Sequence, residues 1–230
     1  MIELILTKRT DQRYKDIRDR HYVPNRGCHG QQLHYLVYVD HELFGIISGA
    51  SAVYGCRPRD EFFSLSKDSA TKQVQLNQVI NNVVFRLETT RHNLASQVLA
   101  KWRKQISCDW KSLYGVPVVG FETFVIEKVR EDVSDRRGTL YLADNWTNVG
   151  LTQGNTKAHE KTANSGGMNA SHTRRETEQK IILCLKNRKV RFVDTYQASW
   201  KDPQRAKEIA NLRKQMLSND PYKGQQCLPI

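Results

Sequence analysis

From Ile2 to Lys8 apolar and polar residues alternate, the period-two pattern of a strand with one buried face. Thr10 to Tyr22 is dense in Arg, Lys and Asp and spaces Tyr14, Ile17 and Tyr22 for one side of an exposed helix, with Thr10 as its cap and Pro24 and Gly27 to close it. Gln32 to Val39 and Leu43 to Val53 are rich in Tyr, Val, Ile and Leu around a short Asp40-His41 turn, which predicts an antiparallel hairpin. Cys56 to Gln78 is more polar and reads as a partly helical insertion between strands. Val79 to Leu87 is an apolar strand interrupted by Asn81, Asn82 and Arg86. Leu94, Val98, Leu99, Trp102 and Ile106 share one face of a helix over Leu94 to Ile106. Val116 to Ile126 predicts another strand, Gly138 to Trp146 a short helix, and Val149 to Leu151 the start of an extended segment. Thr152 to Lys180, rich in Gly, Asn, Ser, Thr and basic residues around Gly166-Gly167, reads as a long mobile loop. Ile181 to Leu185 and Lys189 to Val193 flank Asn187-Arg188 as a last hairpin or a bent strand, and Asp202 to Leu217 is a surface helix with Pro203 in its first turn.

This order predicts one α/β domain over residues 1–230: a mixed, mostly antiparallel sheet flanked by helices, with a basic loop at 152–180 and a C-terminal surface helix at 202–218. Charge adds a partner. The chain carries 36 Lys and Arg against 24 Asp and Glu, a formal charge of +12, which suits a polyanion and nucleic acid first. Nine of those cations against three Glu lie between 151 and 191, so half the net charge sits in under a fifth of the chain. Four Trp, nine Tyr and seven Phe argue against a disordered chain. No apolar run approaches the roughly 20 residues that span a bilayer, so no membrane partner is expected, and Met1 to Lys8 is too short and wrongly flanked for a secretory signal. Cys28, Cys56, Cys108, Cys184 and Cys227 are odd in number and never form C-x-x-C, which speaks against a disulfide framework or zinc ribbon and for reduced thiols in the cytoplasm. His21, His29, His34 and His41 cluster in sequence without ligand spacing, so no metal site is expected.

Thr90-Arg91-His92-Asn93-Leu94-Ala95-Ser96 joins a buried strand to the best helix, with small residues where a backbone must approach a ligand closely. The unpaired N–H groups and dipole of a helix start suit a phosphate or other anion there. Leu140-Tyr141-Leu142-Ala143-Asp144-Asn145-Trp146, followed by Val149-Gly150, forms a second segment of helix, aromatic residue, turn and strand. Together the two resemble the acyl-binding motifs of the GNAT acyltransferase superfamily, with Thr90, Asn93 and Ala95 at the first set of positions and Ala143, Trp146 and Gly150 approximating the second. Thr90 and Asn93 stand where that superfamily prefers Gln or Arg and Gly. The resemblance implies donor binding by Thr90, Arg91, Asn93, Ala95, Ser96, Tyr141, Asn145 and Trp146.

A closer resemblance runs through seven blocks in order: His21-Tyr22-Val23-Pro24-Asn25-Arg26-Gly27, Gly30-Gln31-Gln32-Leu33-His34-Tyr35, Gly45-Ile46-Ile47-Ser48-Gly49, Arg59-Asp60-Glu61-Phe62-Phe63, Asn93-Leu94-Ala95-Ser96, Gly120-Phe121-Glu122-Thr123-Phe124 and Ala143-Asp144-Asn145-Trp146. These resemble the Mom family of DNA-modification proteins of Mu-like phages, and blocks such as Asn-Leu-Ala-Ser also resemble a wider group of phage-defence proteins related to DruA. The resemblance implies a GNAT-like fold that converts adenine in DNA to N6-carbamoylmethyladenine in the host cytoplasm and so shields phage DNA from restriction.

Adenine N6 is a weak nucleophile, because its lone pair is delocalised into the ring. Such chemistry therefore needs an activated donor, an acceptor for the N6 hydrogen and a base. Glu122, among apolar neighbours, is the candidate base. Asp144 or Asn145 is the candidate acceptor, Ser96 the candidate phosphate partner or acid, and Tyr22 with His21 the pair to stack on or position a base. Phosphate contacts of double-stranded DNA are expected from His21, Arg26, Lys157, Lys161, Arg174, Arg175, Arg188, Lys189 and Arg191. A glycyl group on N6 is an isomer of carbamoylmethyl, so the expected donor is an activated glycine such as glycyl-tRNA, with acyl-CoA as the second candidate and tRNA as a candidate partner. Two other readings share these motifs: an acyltransferase acting on RNA or aminoacyl-tRNA, and a nucleic-acid-binding module without catalysis.

Overall fold

The computed structural model describes residues 1–21, 30–89, 91–126, 138–153, 155–159, 172–176, 179–193 and 202–224, the two five-residue stretches by backbone alone. Strand β1 (Ile2–Thr7) leads into α1 (Gln12–Asp19), and β2 (Gln32–Val39) and β3 (Glu42–Ser51) form the expected hairpin. Asp40 and His41 both take positive φ, 51° and 70°, which matches a two-residue turn to the twist of the paired strands. Helices α2 (Arg57–Phe63) and α3 (Ser69–Leu76) fill the segment read as an insertion. Then follow β4 (Val79–Leu87), α4 (Leu94–Tyr114), β5 (Gly120–Ile126), α5 (Thr139–Ala143), β6 (Thr147–Leu151), β7 (Asn155–His159), β8 (His172–Glu176), β9 (Lys180–Lys186) and α6 (Pro203–Ser218).

Seven strands form one sheet in the order β1-β2-β3-β4-β5-β9-β6, every neighbour antiparallel except β4 with β5. The mixed, mostly antiparallel sheet flanked by helices is the expected one. Helix α4 covers one face, where Val98, Leu99, Trp102, Ile106, Trp110 and Leu113 are fully buried against residues such as Tyr35, Val37 and Ile47. On the other face α1 packs Tyr14 and Ile17 on β2 and β3, and α2 packs Phe63 beside Val79, Ile182 and Cys184. At Gly120 α2 lies close against the sheet: a Cβ there would stand 2.3 Å from Phe63 Cε1 and 2.6 Å from the Leu185 carbonyl oxygen. Gly120→Ala is expected to cost about 1–3 kcal/mol, read as a lower urea midpoint, because a ladder carbonyl cannot yield and the Phe63 ring must.

Several expectations are corrected. Asp11, not Thr10, caps α1: its carboxylate accepts from the Arg13 N–H at 3.0 Å and from the Thr7 hydroxyl at 2.9 Å, and the helix ends at Asp19. Helix α4 runs past Ile106 to Tyr114, where Gly115 with φ 74° stops it. The segment read as a loop after Thr152 holds an antiparallel ribbon, β7 with β8 from Asn155↔Glu176 to His159↔His172. Lys189 to Val193 pairs with no strand. Gln78 binds its end instead, accepting from the Val193 N–H at 2.9 Å and donating to the Val193 carbonyl at 2.7 Å, so one side-chain amide replaces a ladder rung.

Candidate active site at the parting of two parallel strands

β4 and β5 pair only through Val79↔Gly120, Ile80↔Phe121 and Asn81↔Glu122, and then diverge. The divergence coincides with an irregularity on the other side of β4, where the register with β3 steps from Gly49↔Asn82 to Ser48↔Val84 and leaves Val83 as a bulge. Asn82 holds the bulge. Its amide donates to the carbonyls of Ser48 at 3.0 Å and Val84 at 3.2 Å, its Oδ1 accepts from the Tyr141 hydroxyl at 2.6 Å, and its own carbonyl accepts from Thr123 Oγ1 at 3.0 Å. A buried, fully bonded polar seam thus lies where the strands part, with Tyr141 of α5 reaching into it.

Around that seam the predicted residues fall into separate groups. Trp146 is buried against Phe121 and Tyr141, with ring centroids 6.1 and 5.0 Å away. Asp144 accepts from Arg103 of α4 at 2.6 Å and from the Trp146 indole N–H at 2.9 Å, so it ties α5 to α4. Asn145 is exposed with φ 63°. At the start of α4, Asn93 takes φ 57°, the left-handed conformation that glycine enters freely, and Ser96 donates to the Asn93 carbonyl at 3.0 Å. Ala95 follows in the first turn. Arg91 lies over the Phe44 ring at 4.4 Å and 3.6 Å from Asp40.

Glu122 is on the opposite face from Asp144, so the two candidate acids share no site. Strand alternation points Phe121 at Trp102 and α4 and turns Glu122 towards α2. There it is fully buried, accepts from Arg59 at 2.5 Å and takes the Val53 N–H at 3.3 Å. Burial pushes its carboxyl up to about 7 while the Arg59 charge pulls it back. Arg59, also fully buried, bonds Asp60 at 2.7 Å, and Asp60 bonds Lys72 at 2.6 Å. Burial also raises the nearby thiols of Cys56 and Cys184. A cleft of about 1010 Å3 opens on this side, with Val53, Cys56, Asp60, Lys72 and Phe124 among its walls.

Of the remaining predicted residues, Tyr22, Arg26, Thr90 and Lys161 lie outside the described residues, and Lys157, Arg174 and Arg175 are placed by backbone on the β7–β8 ribbon. Arg188, Lys189 and Arg191 are exposed beyond the end of β9, and His21 follows α1. Sequence reasoning missed Arg59, Asn82 and Thr123. Arg59 and Thr123 stood within two of the seven resemblance blocks without a role, and Asn82 left its own signal as a polar interruption of an apolar strand. Among the described residues no group of three His, Cys, Asp or Glu could hold a metal, and no helix is long and apolar enough to cross a membrane.

Antiparallel strands on either side of one parted parallel pair, with a helix following β4, make the mixed, mostly antiparallel sheet that carries these residues. Residues 1–198 match the sequence profile of the family described as Druantia protein DruA, and the chain belongs to that family. No curated protein sequence matches it. Solved structures similar to it include a Bacillus subtilis acetyltransferase in complex with CoA (11% identity, 81% of this chain and 99% of that one, TM-score 0.41). A GNAT family acetyltransferase from Elizabethkingia anophelis with acetyl-CoA bound is similar at 9% identity over 80% and 97% of the two chains, TM-score 0.39. The Campylobacter jejuni N-acetyltransferase PseH in complex with acetyl coenzyme A is similar at 9% identity over 81% and 99%, TM-score 0.39.

Proposed function

We propose that this protein is a transferase that places a glycyl unit on N6 of adenine in double-stranded DNA, the product rearranging to N6-carbamoylmethyladenine and protecting phage DNA from restriction. The observation that carries the reading is the parting of β4 and β5 beside the bonded Asn82–Tyr141 pair, with α4 starting just beyond the end of β4. The +12 charge and the seven sequence blocks that resemble the Mom family supply the acceptor. In the proposed step N6 attacks the ester carbonyl of glycyl-tRNA. The new N–C bond replaces the ester C–O bond, and the ribose oxygen leaves with the electron pair and takes the N6 proton. The glycyl amine then attacks ring C6, and cleavage of the C6–N6 bond leaves the original N6 as the carbamoyl nitrogen. An acyl-CoA is the second donor, departing as thiol by the same balance. Glu122, buried under Arg59, holds the β3–α2 connection in place, and Tyr141 orients the donor.

Nucleoside mass spectrometry of plasmid DNA from cells expressing the protein tests this. The expected product is a deoxyadenosine heavier by one glycyl residue, reduced about tenfold or more by Tyr141→Phe, which removes one hydrogen-bonding hydroxyl and leaves the ring. Unmodified DNA from well-folded protein would overturn the DNA reading and move the acceptor to RNA.

A further inference from the structure

At the β1 edge of the sheet, where β1 ends and β2 begins, lies a larger cleft of about 1240 Å3 between the β1–α1 turn and α6. Its walls carry Lys8 and Arg9 from the turn, Arg213 and Lys214 from α6, and Lys223 from the segment after it. Two carboxylates also line it, but both are engaged: Arg13 bonds Asp11 at 2.8 Å and Asp220 at 2.5 Å. Arg13 also donates to the Tyr222 carbonyl at 2.9 Å, and the Tyr222 ring stacks on Tyr38 with centroids 3.9 Å apart. This clamp fixes the segment after α6 as a wall and removes the acids from competition. Lys8, Lys214 and Lys223 have no carboxylate partner among the described residues. At the floor His34, only 4% exposed, has Nδ1 3.0 Å from Ser48 Oγ, which lies 2.8 Å from the Tyr14 hydroxyl. Its Nε2 has no partner among the described residues. Burial first, then the charges of Arg213 and Arg9, push the imidazole down to about 4, so it is neutral at pH 7 and adds no charge to the cleft.

We infer that this cleft docks the phosphodiester chain of a nucleic acid, its cationic rim on successive phosphates and the His34 Nε2 on the sugar or base of one nucleotide. A single small anion would leave most of the volume empty. The cations also come from three separate parts of the chain, a spread that suits a row of phosphates rather than one. None of these residues belongs to the basic segment at 151–191, so the nucleic acid would be held on two surfaces. The ligand class rests on the nucleic-acid reading above, whereas the place of the site rests on the cleft itself.

Fluorescence anisotropy with a labelled DNA duplex and, separately, with tRNA, titrated in salt, tests the inference on the full chain. A variant with Lys8→Glu, Lys214→Glu and Lys223→Glu is compared with a control of equal charge change, Lys104→Glu, Lys111→Glu and Lys207→Glu, on exposed positions outside the cleft. Loss of three phosphate contacts is expected to weaken binding about a hundredfold at 0.1 M salt and to make the slope of log K against log salt shallower by about 2–3 for the duplex, with a smaller change in the control. Loss with the duplex alone, or with tRNA alone, names the source of the phosphates, and loss with both assigns the site to either. Lysine labelling of the unsubstituted protein is a second readout: Lys214 and Lys223 should be shielded when nucleic acid is added. Wild-type binding that the cleft variant leaves unchanged, or weakens no more than the control does, overturns this site alone. A wild-type chain that binds neither nucleic acid overturns the site and the proposed function together.

Discussion

Arg59→Met is expected to destabilise the protein by about 3–5 kcal/mol at pH 8, seen as a large fall in the urea midpoint. Both Arg59 and Glu122 are fully buried, and the guanidinium serves three acceptors, Glu122, Asp60 and the Val53 carbonyl. Its removal leaves a carboxylate among Cys56, Phe63 and Cys184 with only the Val53 N–H for company. The cost should depend on pH in a defined sense. The Glu122 carboxyl already titrates near 7, above its ordinary 4.5, and losing Arg59 removes the charge that pulled it down. At pH 5 the residue escapes by binding a proton, so the variant should lose much less there than at pH 8. In the unsubstituted protein the folded state holds a proton between about 4.5 and about 7 that the unfolded chain has released. Stability relative to Glu122→Gln is therefore fully present below about 4.5 and lost as the pH rises through about 7. A double variant, Arg59→Met with Glu122→Leu, should recover most of the loss, since an apolar pair of similar bulk carries no desolvation penalty. A penalty for Arg59→Met that is small and equal at both pH values would show that Glu122 is not a charged buried partner.

Periodicity made most of the fold legible. β4 and the first turns of α4 matched their patterns because both sides of that strand and one side of that helix are buried, and burial writes itself into the order of residues. The failures have separate causes. α4 continues through Asp109, a polar residue on a buried face that the Tyr35 hydroxyl reaches at 2.7 Å, so the apolar pattern breaks while the helix does not. Arg57-Pro58-Arg59-Asp60 has the composition of a solvated turn, and only the packing of α2 on β5 and β9 places Arg59 in the interior. The candidate site was legible in its elements and not in its directions. Glu122 and Asp144 both stood near the right strands, but the alternation from Phe121 to Glu122 sends them to opposite faces, which becomes known only once Phe121 is seen against Trp102.

The second large effect belongs to Asn82. Asn82→Ala would leave the buried Ser48 and Val84 carbonyls without their amide donor and remove the Asn82 acceptor of the half-buried Tyr141 hydroxyl. At about 1 kcal/mol or more for each buried group stripped of its partner, the expected loss is about 3 kcal/mol. Asn82→Asp should be worse than Asn82→Ala at neutral pH, although it is nearly isosteric: it keeps an acceptor for Tyr141 but turns a buried oxygen towards two carbonyls, and burying that charge without a cation is costly. This ordering separates the role of Asn82 as a donor to the bulge from a role in merely filling space, which would make Asp the milder change. The same residue links stability to the proposed chemistry. If the bulge is what keeps β4 and β5 apart, Asn82→Ala should abolish adenine modification even at temperatures where the protein stays folded, whereas Tyr141→Phe should reduce modification and leave the strands parted. Hydrogen exchange at Val83 to Phe85 and Thr123 to Val125 reads the difference. Exchange there should rise in the Asn82 variant, whose bulge has lost its amide, and stay unchanged in Tyr141→Phe. Unaltered exchange in Asn82→Ala would mean that the strands part without it.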